Sequence, residues 1–152
     1  VAWISRGHLA PERAAALAAR LAGAGLAVVR EGVPVRTFAD LAGAPAGRPD
    51  GAVVLASGLG NPLGFEGDAA QLALDVRASL RFPDHHRYGP ADLAAIARLA
   101  AGATVVVTAK DAVKLAALWH DGLPPCRVLH AATAVAEADL PTLAAAVDRA
   151  LA

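Results

Sequence analysis

Methionine is absent from the chain, and cysteine occurs once, at Cys126. A single thiol excludes an intrachain disulfide and a cysteine-based zinc site, and it fits a reducing compartment. An excess of one charge is also absent, since 14 Lys and Arg balance 14 Asp and Glu. A nucleic-acid partner announces itself by a basic excess or stripe, so none is expected. No apolar run approaches the ~18–20 residues that cross a bilayer as a helix. The opening residues carry no secretory pattern. No Gly-x-x-x-x-Gly-Lys-Ser/Thr loop occurs, so the sequence holds no P-loop.

What the chain has in quantity is apolar residues, 56% of 152. That suffices for one domain with a well-developed core and is too much for disorder. Residues 1–152 are expected to form a single domain. The chain starts at Val1 and passes at once into the apolar run Val1-Ala2-Trp3-Ile4, as expected of a fragment that begins inside a strand.

Apolar runs alternate with Ala/Leu-rich stretches. Strands are expected at Val1–Ser5, at Leu26–Arg30 with a continuation towards Val35, at Gly51–Ser57, Ala73–Phe82, Ala103–Thr108 and Arg127–Ala131. Helices are expected at Pro11–Ala24, from about Phe65, and at Pro90–Ala101, Lys110–Leu118 and Asp139–Ala152. Pro11 suits a first helical turn and Gly25 a C-terminal cap. Asp40–Asp50, rich in Gly, Pro and Ala, reads as a loop. Short continuous apolar strands alternating with helices predict an α/β fold, a mainly parallel sheet flanked by helices.

In such a sheet ligands collect beyond the C-terminal ends of the strands. Three polar segments fall there. Ser57-Gly58-Leu59-Gly60-Asn61-Pro62 is either a tight turn or a phosphate cradle. Phe82-Pro83-Asp84-His85-His86-Arg87-Tyr88 is either an exposed polar loop or a source of a general base and its helper. In Thr108-Ala109-Lys110-Asp111-Ala112-Val113-Lys114, Asp111 either favours a helix start or lines a cleft. Lys110 and Lys114 lie one turn apart and can share a face.

Together these segments resemble the C-terminal half of the tetraacyldisaccharide 4′-kinases, enzymes of the lipid A pathway. That family carries a Gly-Ile-Gly-x-Pro-like turn followed by Phe, matched by Gly58–Pro62 with Phe65. It then carries Phe-Pro-Asp-His-His-x-Tyr with a following Asp-Leu, matched by Phe82–Tyr88 with Asp92-Leu93. Last comes Thr-Glu-Lys-Asp-Ala-Val-Lys, matched by Thr108–Lys114. Order and spacing agree over most of the chain. Ala109 stands where the family has glutamate, and Gly64–Leu72 departs from its usual larger apolar residues. Val1–Arg6 resembles the strand ending in Thr-Arg that closes the family's ATP-binding half.

The resemblance implies the C-terminal part of a P-loop kinase-like fold. It implies transfer of the γ-phosphate of ATP, with Mg²⁺, to the 4′-hydroxyl of tetraacyldisaccharide 1-phosphate, giving lipid IVA. His85 would support the aspartate that takes the hydroxyl proton, and Asp84 would orient His85 or cap the loop. Ser5, Arg6, Gly58, Gly60, Asn61, His86, Lys110, Asp111 and Lys114 would lie in the substrate or nucleotide cleft. Ser5 and Arg6 would be either nucleotide contacts or plain loop residues, and no separate role falls to His86. The partners implied are the N-terminal ATP-binding half and the lipid disaccharide. The place implied is the cytoplasmic side of the inner membrane, held peripherally or through that half. Alone, the chain is expected to bind no ATP or metal and to be inactive.

Two other readings exist. An Asp-His-His triplet also names metal-dependent phosphoesterases, but those need further early aspartates for two metals. Here no Asp precedes Asp40 and no Asp-x-Asp pair occurs. The other reading is a non-catalytic module derived from the kinase.

Overall fold

The computed structural model describes residues 1–5, 10–32, 34–132 and 134–151. Its elements run β1 (Ala2–Ile4), α1 (Pro11–Gly23), β2 (Val28–Arg30), β3 (Val35–Ala39), β4 (Pro45–Ala46), β5 (Ala52–Ser57), α2 (Pro62–Gln71), β6 (Asp75–Arg81), α3 (Pro90–Leu99), β7 (Thr104–Thr108), α4 (Ala109–Leu115), β8 (Cys126–Ala132) and α5 (Leu140–Leu151), with a 3-10 turn at Glu137–Asp139 before the last helix. Packing divides the chain into two compact units, Val1–Val35 with Ala132–Ala152, and Arg36–Ala131.

In the first unit β1 and β2 pair in parallel, Ala2 opposite Val28 and Ile4 opposite Arg30, with α1 as the crossover. Pro11 occupies the first turn of α1, where its missing N–H costs nothing. Gly25 follows the helix at φ +78°, a conformation that only glycine adopts freely. Its N–H donates back to the Ala22 carbonyl at 2.9 Å. Asp139, expected to start the last helix, lies instead in the 3-10 turn with its side chain turned inward. It accepts from Arg30 Nε at 2.7 Å, Arg30 Nη2 at 2.6 Å and the Arg30 backbone N–H at 2.9 Å.

The second unit is built on a six-stranded sheet in the order β4-β3-β8-β7-β5-β6. The pairs β5–β6, β5–β7 and β7–β8 are all parallel, so the fold is α/β with a mainly parallel sheet, as the strand–helix alternation predicts. Val53, Val54, Val105, Val106 and Val107 are fully buried, which explains the unbroken apolar runs. Alternate residues serve opposite faces. Val54, Ala56, Val105 and Val107 pack with Leu93 and Ile96 of α3 and Leu115 of α4. Val53, Leu55 and Val106 pack with Phe65 and Ala69 of α2.

The strand expected to continue from Arg30 towards Val35 is two strands, β2 and β3. The loop expected over Asp40–Asp50 is corrected by β4, which folds back on β3 and pairs Phe38 with Ala46 and Ala39 with Pro45. The turn closes because Asp40 Oδ1 accepts from Ala44 N–H at 2.9 Å and Gly43 takes φ +88°. A two-residue strand with a proline carries no periodic signal. Helix α2 starts three residues before the expected Phe65, with Pro62 in its first turn.

Chain order fixes where ligands could gather. From β5 the chain moves through α2 to β6 at the edge. It then crosses through α3 to β7 on the other side of β5. Successive connections therefore leave opposite faces of the sheet, and the C-terminal ends of β5 and β7 flank the switch point.

The Arg30–Asp139 pair yields a prediction. Hydrogen bonds from Arg30 hold the Asp139 carboxyl below its ordinary value, helped by the Arg30 charge. A depressed folded value means the stabilisation is complete above the ordinary carboxyl range. It is lost as pH falls through the folded value. Asp139→Asn is expected to cost about 1–3 kcal/mol at neutral pH and to flatten the acid side of the stability curve. Thermal unfolding followed by circular dichroism between pH 3 and pH 7 measures both.

Candidate functional site

The three polar segments meet at one edge of the second unit's sheet. Register places Ser57 opposite Arg81, and Phe82 N–H donates to the Ser57 carbonyl at 2.8 Å. The glycine turn after β5 and the Asp-His-His loop after β6 therefore leave the sheet side by side. Thr108 closes β7, and its hydroxyl accepts from Asp111 N–H at 3.2 Å to cap α4.

Asp111 lies at the bottom of this edge, with no exposed surface. Its Oδ2 accepts from Thr108 Oγ1 at 2.7 Å and from Gly58 N–H at 3.1 Å. Its Oδ1 has no hydrogen-bond partner of good geometry, and neither has the Tyr88 hydroxyl. Burial pushes the Tyr88 phenol well above its ordinary range, and the facing Asp111 carboxylate pushes it further. Lys114 brings its ammonium to 4.0 Å from Asp111 Oδ1 and donates to the His86 carbonyl at 3.2 Å.

Above this sits an exposed layer. Lys110 Nζ lies 2.7 Å from Asp84 Oδ1, and the same oxygen accepts from His85 N–H at 2.9 Å. The Lys110 hydrogen bond is the main cause that holds the Asp84 carboxyl below its ordinary value. Gly60 borders it, since a Cβ there would stand 3.2 Å from Asp84 Oδ2.

The two histidines have opposite environments. His86 stacks on Phe82 with ring centroids 4.8 Å apart and meets Tyr88 edge-on at 5.1 Å. Its Nε2 lies 3.0 Å from Asp92 Oδ2. That carboxylate also accepts from Gly89 N–H at 2.9 Å, at the start of α3. His85 takes φ +58°, which swings its side chain out to 81% exposure, with Nε2 3.7 Å from Asp84 Oδ2.

The structure thus brings together Gly58, Gly60, Asp84, His85, His86, Lys110, Asp111 and Lys114. Asn61 stands at the N-cap position of α2, exposed and without a side-chain capping bond. Ser5 follows β1 in the first unit, exposed. Arg6 lies outside the described residues. Sequence reasoning missed Tyr88, Thr108, Phe82 and Asp92 as site-builders. Tyr88, Phe82 and Asp92 all stood inside the quoted motif; their signal was aromatic and acidic residues bracketing the histidine pair. Cys126 packs in the core, and burial pushes its thiol up to about 12.

Among the described residues no three His, Cys, Asp or Glu side chains converge as metal ligands. No helix there is long and apolar enough to cross a membrane.

Comparisons with known proteins fall on one family. The family model described as Tetraacyldisaccharide-1-P 4'-kinase matches residues 3–152. The chain is 43% identical over 96 residues to a tetraacyldisaccharide 4'-kinase of Methylobacterium nodulans, covering 59% of this chain and 28% of that protein. It is 33% identical over 125 residues to one of Methylobacterium sp. strain 4-46, covering 81% and 29%. It therefore spans under a third of the length of these relatives. Among solved structures, a crystal structure titled as an "apo" form of LpxK from Aquifex aeolicus in complex with ATP is 18% identical, with a TM-score of 0.49, covering 76% of this chain and 34% of that one.

Gly58 is the tightest point of the site. A Cβ there would stand 3.1 Å from Asp111 Oδ1, 3.2 Å from Tyr88 Oη and 3.4 Å from His86 Cβ. All three neighbours are held by other contacts, so none yields freely. Gly58→Ala is expected to destabilise the second unit by about 1–3 kcal/mol. Denaturant unfolding measures this, with Gly67→Ala, which meets nothing within 4 Å, as the control.

Proposed function

Because the chain belongs to the tetraacyldisaccharide-1-phosphate 4′-kinase family, we propose that it supplies the C-terminal part of an ATP-dependent, P-loop kinase-like enzyme of lipid A biosynthesis. The reaction proposed is phosphorylation of the 4′-hydroxyl of tetraacyldisaccharide 1-phosphate to give lipid IVA. One observation carries this reading: the segments that share the family's motifs are the same three that converge at the switch point.

In this reading the three converging segments are not themselves the site for ATP or Mg²⁺. The Gly58 amide, which a phosphate cradle would use, is committed to Asp111. The Asp84 carboxylate is neutralised by Lys110. In our reading nucleotide and metal belong to an N-terminal ATP-binding half, the partner of this chain. The lipid disaccharide would be met at the cytoplasmic side of the inner membrane, to which the chain is held peripherally or through that half.

The role left to this chain is positioning and proton handling, which dominate phosphoryl transfer. His85 projects its imidazole away from the loop, and among the described residues its nearest charged neighbour is Asp84, with Nε2 3.7 Å from Oδ2. It is free to bond to an aspartate of the other half, orienting the base that takes the sugar hydroxyl proton. Asp84 steadies the loop beneath it through Lys110 and the His85 amide. His86 takes no such role in this reading, because its ring is committed to Phe82, Tyr88 and Asp92.

In the complete kinase His85→Ala is expected to lower kcat by at least roughly 10²-fold, with KM for ATP little changed. His86→Ala should cost less in turnover and more in melting temperature. Steady-state kinetics with lipid substrate in detergent decides; near-normal turnover in His85→Ala would remove His85 from the mechanism. The chain alone is expected to show no micromolar binding in calorimetric titration with Mg-ATP. Binding there would place a nucleotide site within it.

A further inference from the structure

Asp111 is the one charged group of the second unit with no exposed surface among the described residues. A buried carboxylate is costly unless its oxygens are matched, and here only Oδ2 is fully used. Oδ1 faces the Tyr88 hydroxyl and the Lys114 ammonium without a good hydrogen bond to either. An isosteric neutral residue would meet the same donors at lower desolvation cost, so packing alone does not account for the charge.

The partners of Asp111 do account for it. Gly58 belongs to the turn after β5, Tyr88 to the loop after β6, and Thr108 to the end of β7. Lys114 sits one turn along α4 and also holds the His86 carbonyl. One carboxylate thus touches every segment of the site. Lys110, its neighbour in sequence, reaches from the same helical turn to Asp84.

We propose that Asp111 is a positioning residue whose buried charge, relayed through Lys114, locks the glycine turn and the Asp-His-His loop in one register and so sets where Asp84 and His85 stand. Its consequence for catalysis rests on the kinase reading above; its geometry does not.

The test is NMR on the full chain with Asp111→Asn, which keeps shape and an acceptor oxygen and removes the charge. A hydrogen bond to an ionised acceptor is about twice as strong as a neutral one. Gly58 amide exchange is therefore expected to accelerate roughly tenfold, while the core amide of Val106 is unchanged. The Asp84 carboxyl titration should move up towards its ordinary range as the Lys110 contact loosens. Lys114→Gln, which leaves the buried partners in place, should move the Asp84 titration and leave Gly58 exchange alone. Unchanged Gly58 exchange and Asp84 titration in Asp111→Asn would overturn the proposal. So would equal loss of protection at Val106, which marks a merely structural role. If Asp111→Asn does not fold, the Asp84 titration in Lys114→Gln decides alone.

In the complete kinase, Asp111→Asn should lower kcat at least tenfold with KM for ATP unchanged; a raised KM with unchanged kcat would contradict it. Absence of kinase activity in the unaltered enzyme would refute the functional reading, and the NMR result would still decide the role of Asp111.

Discussion

The Asp111 carboxylate, fully buried 2.7 Å from Thr108 Oγ1 and 3.1 Å from the Gly58 amide, constrains everything around it. A charge in that position demands donors, and the chain supplies them from two separate strand ends, the Gly58 amide after β5 and the Thr108 hydroxyl at the end of β7. The demand explains why position 58 is glycine: a Cβ would press on both Asp111 Oδ1 and Tyr88 Oη. It also explains why Tyr88 points inward, its phenol kept protonated by burial beside a carboxylate. Once the turn, the loop and α4 are tied to one group, Lys110 and Asp84 meet at 2.7 Å without any contact of their own reaching the core.

The parallel sheet places that group where it can act. With strand order 8-7-5-6, the connections after β5 and β7 diverge to opposite faces, and an opening between them follows from topology. The apolar runs at Gly51–Ser57 and Ala103–Thr108 made this centre legible, because strands covered on both faces need no alternation. The hairpin of β3 and β4 was not legible. Its pairing depends on Asp40 closing a local turn onto Ala44, and a two-residue strand carries no periodic pattern, which leaves Pro45-Ala46 looking like loop. Asp139 failed for a different reason, a contact 109 residues away in sequence. An aspartate before a helix reads as a helix start, and only the distant Arg30 turns it inward.

The site was legible as segments rather than as roles. Of the residues that spacing and motif brought forward, Gly58, Gly60, Asp84, His85, His86, Lys110, Asp111 and Lys114 stand together in the second unit, whereas Asn61 stands exposed at the α2 N-cap, Ser5 belongs to the first unit and Arg6 lies outside the described residues. What a sequence cannot state is depth. Asp111 and Lys110 are adjacent, yet one is wholly buried and the other half-exposed. The difference follows from the helical turn, which sends successive side chains about 100° apart. Thr108, read as the end of a strand, becomes a cap and an anchor only because Asp111 returns to it.

The sharpest case is the histidine pair. Two identical side chains, consecutive in sequence, have opposite fates because a single backbone angle separates them. At φ +58° His85 stands in the left-handed region, which most L-residues enter at a cost of roughly 1–2 kcal/mol and which histidine, like Asn and Asp, enters more readily. That cost is offset by the Asp84 side chain accepting the His85 amide and by the packing of His86 against Phe82 and Tyr88. Tight anchoring of one ring is therefore what allows the other to be held outward on a strained residue. A glycine at position 85 would relieve the strain and lose the imidazole. In the kinase reading proposed above, it is that imidazole, held outward, which would meet the aspartate of the other half.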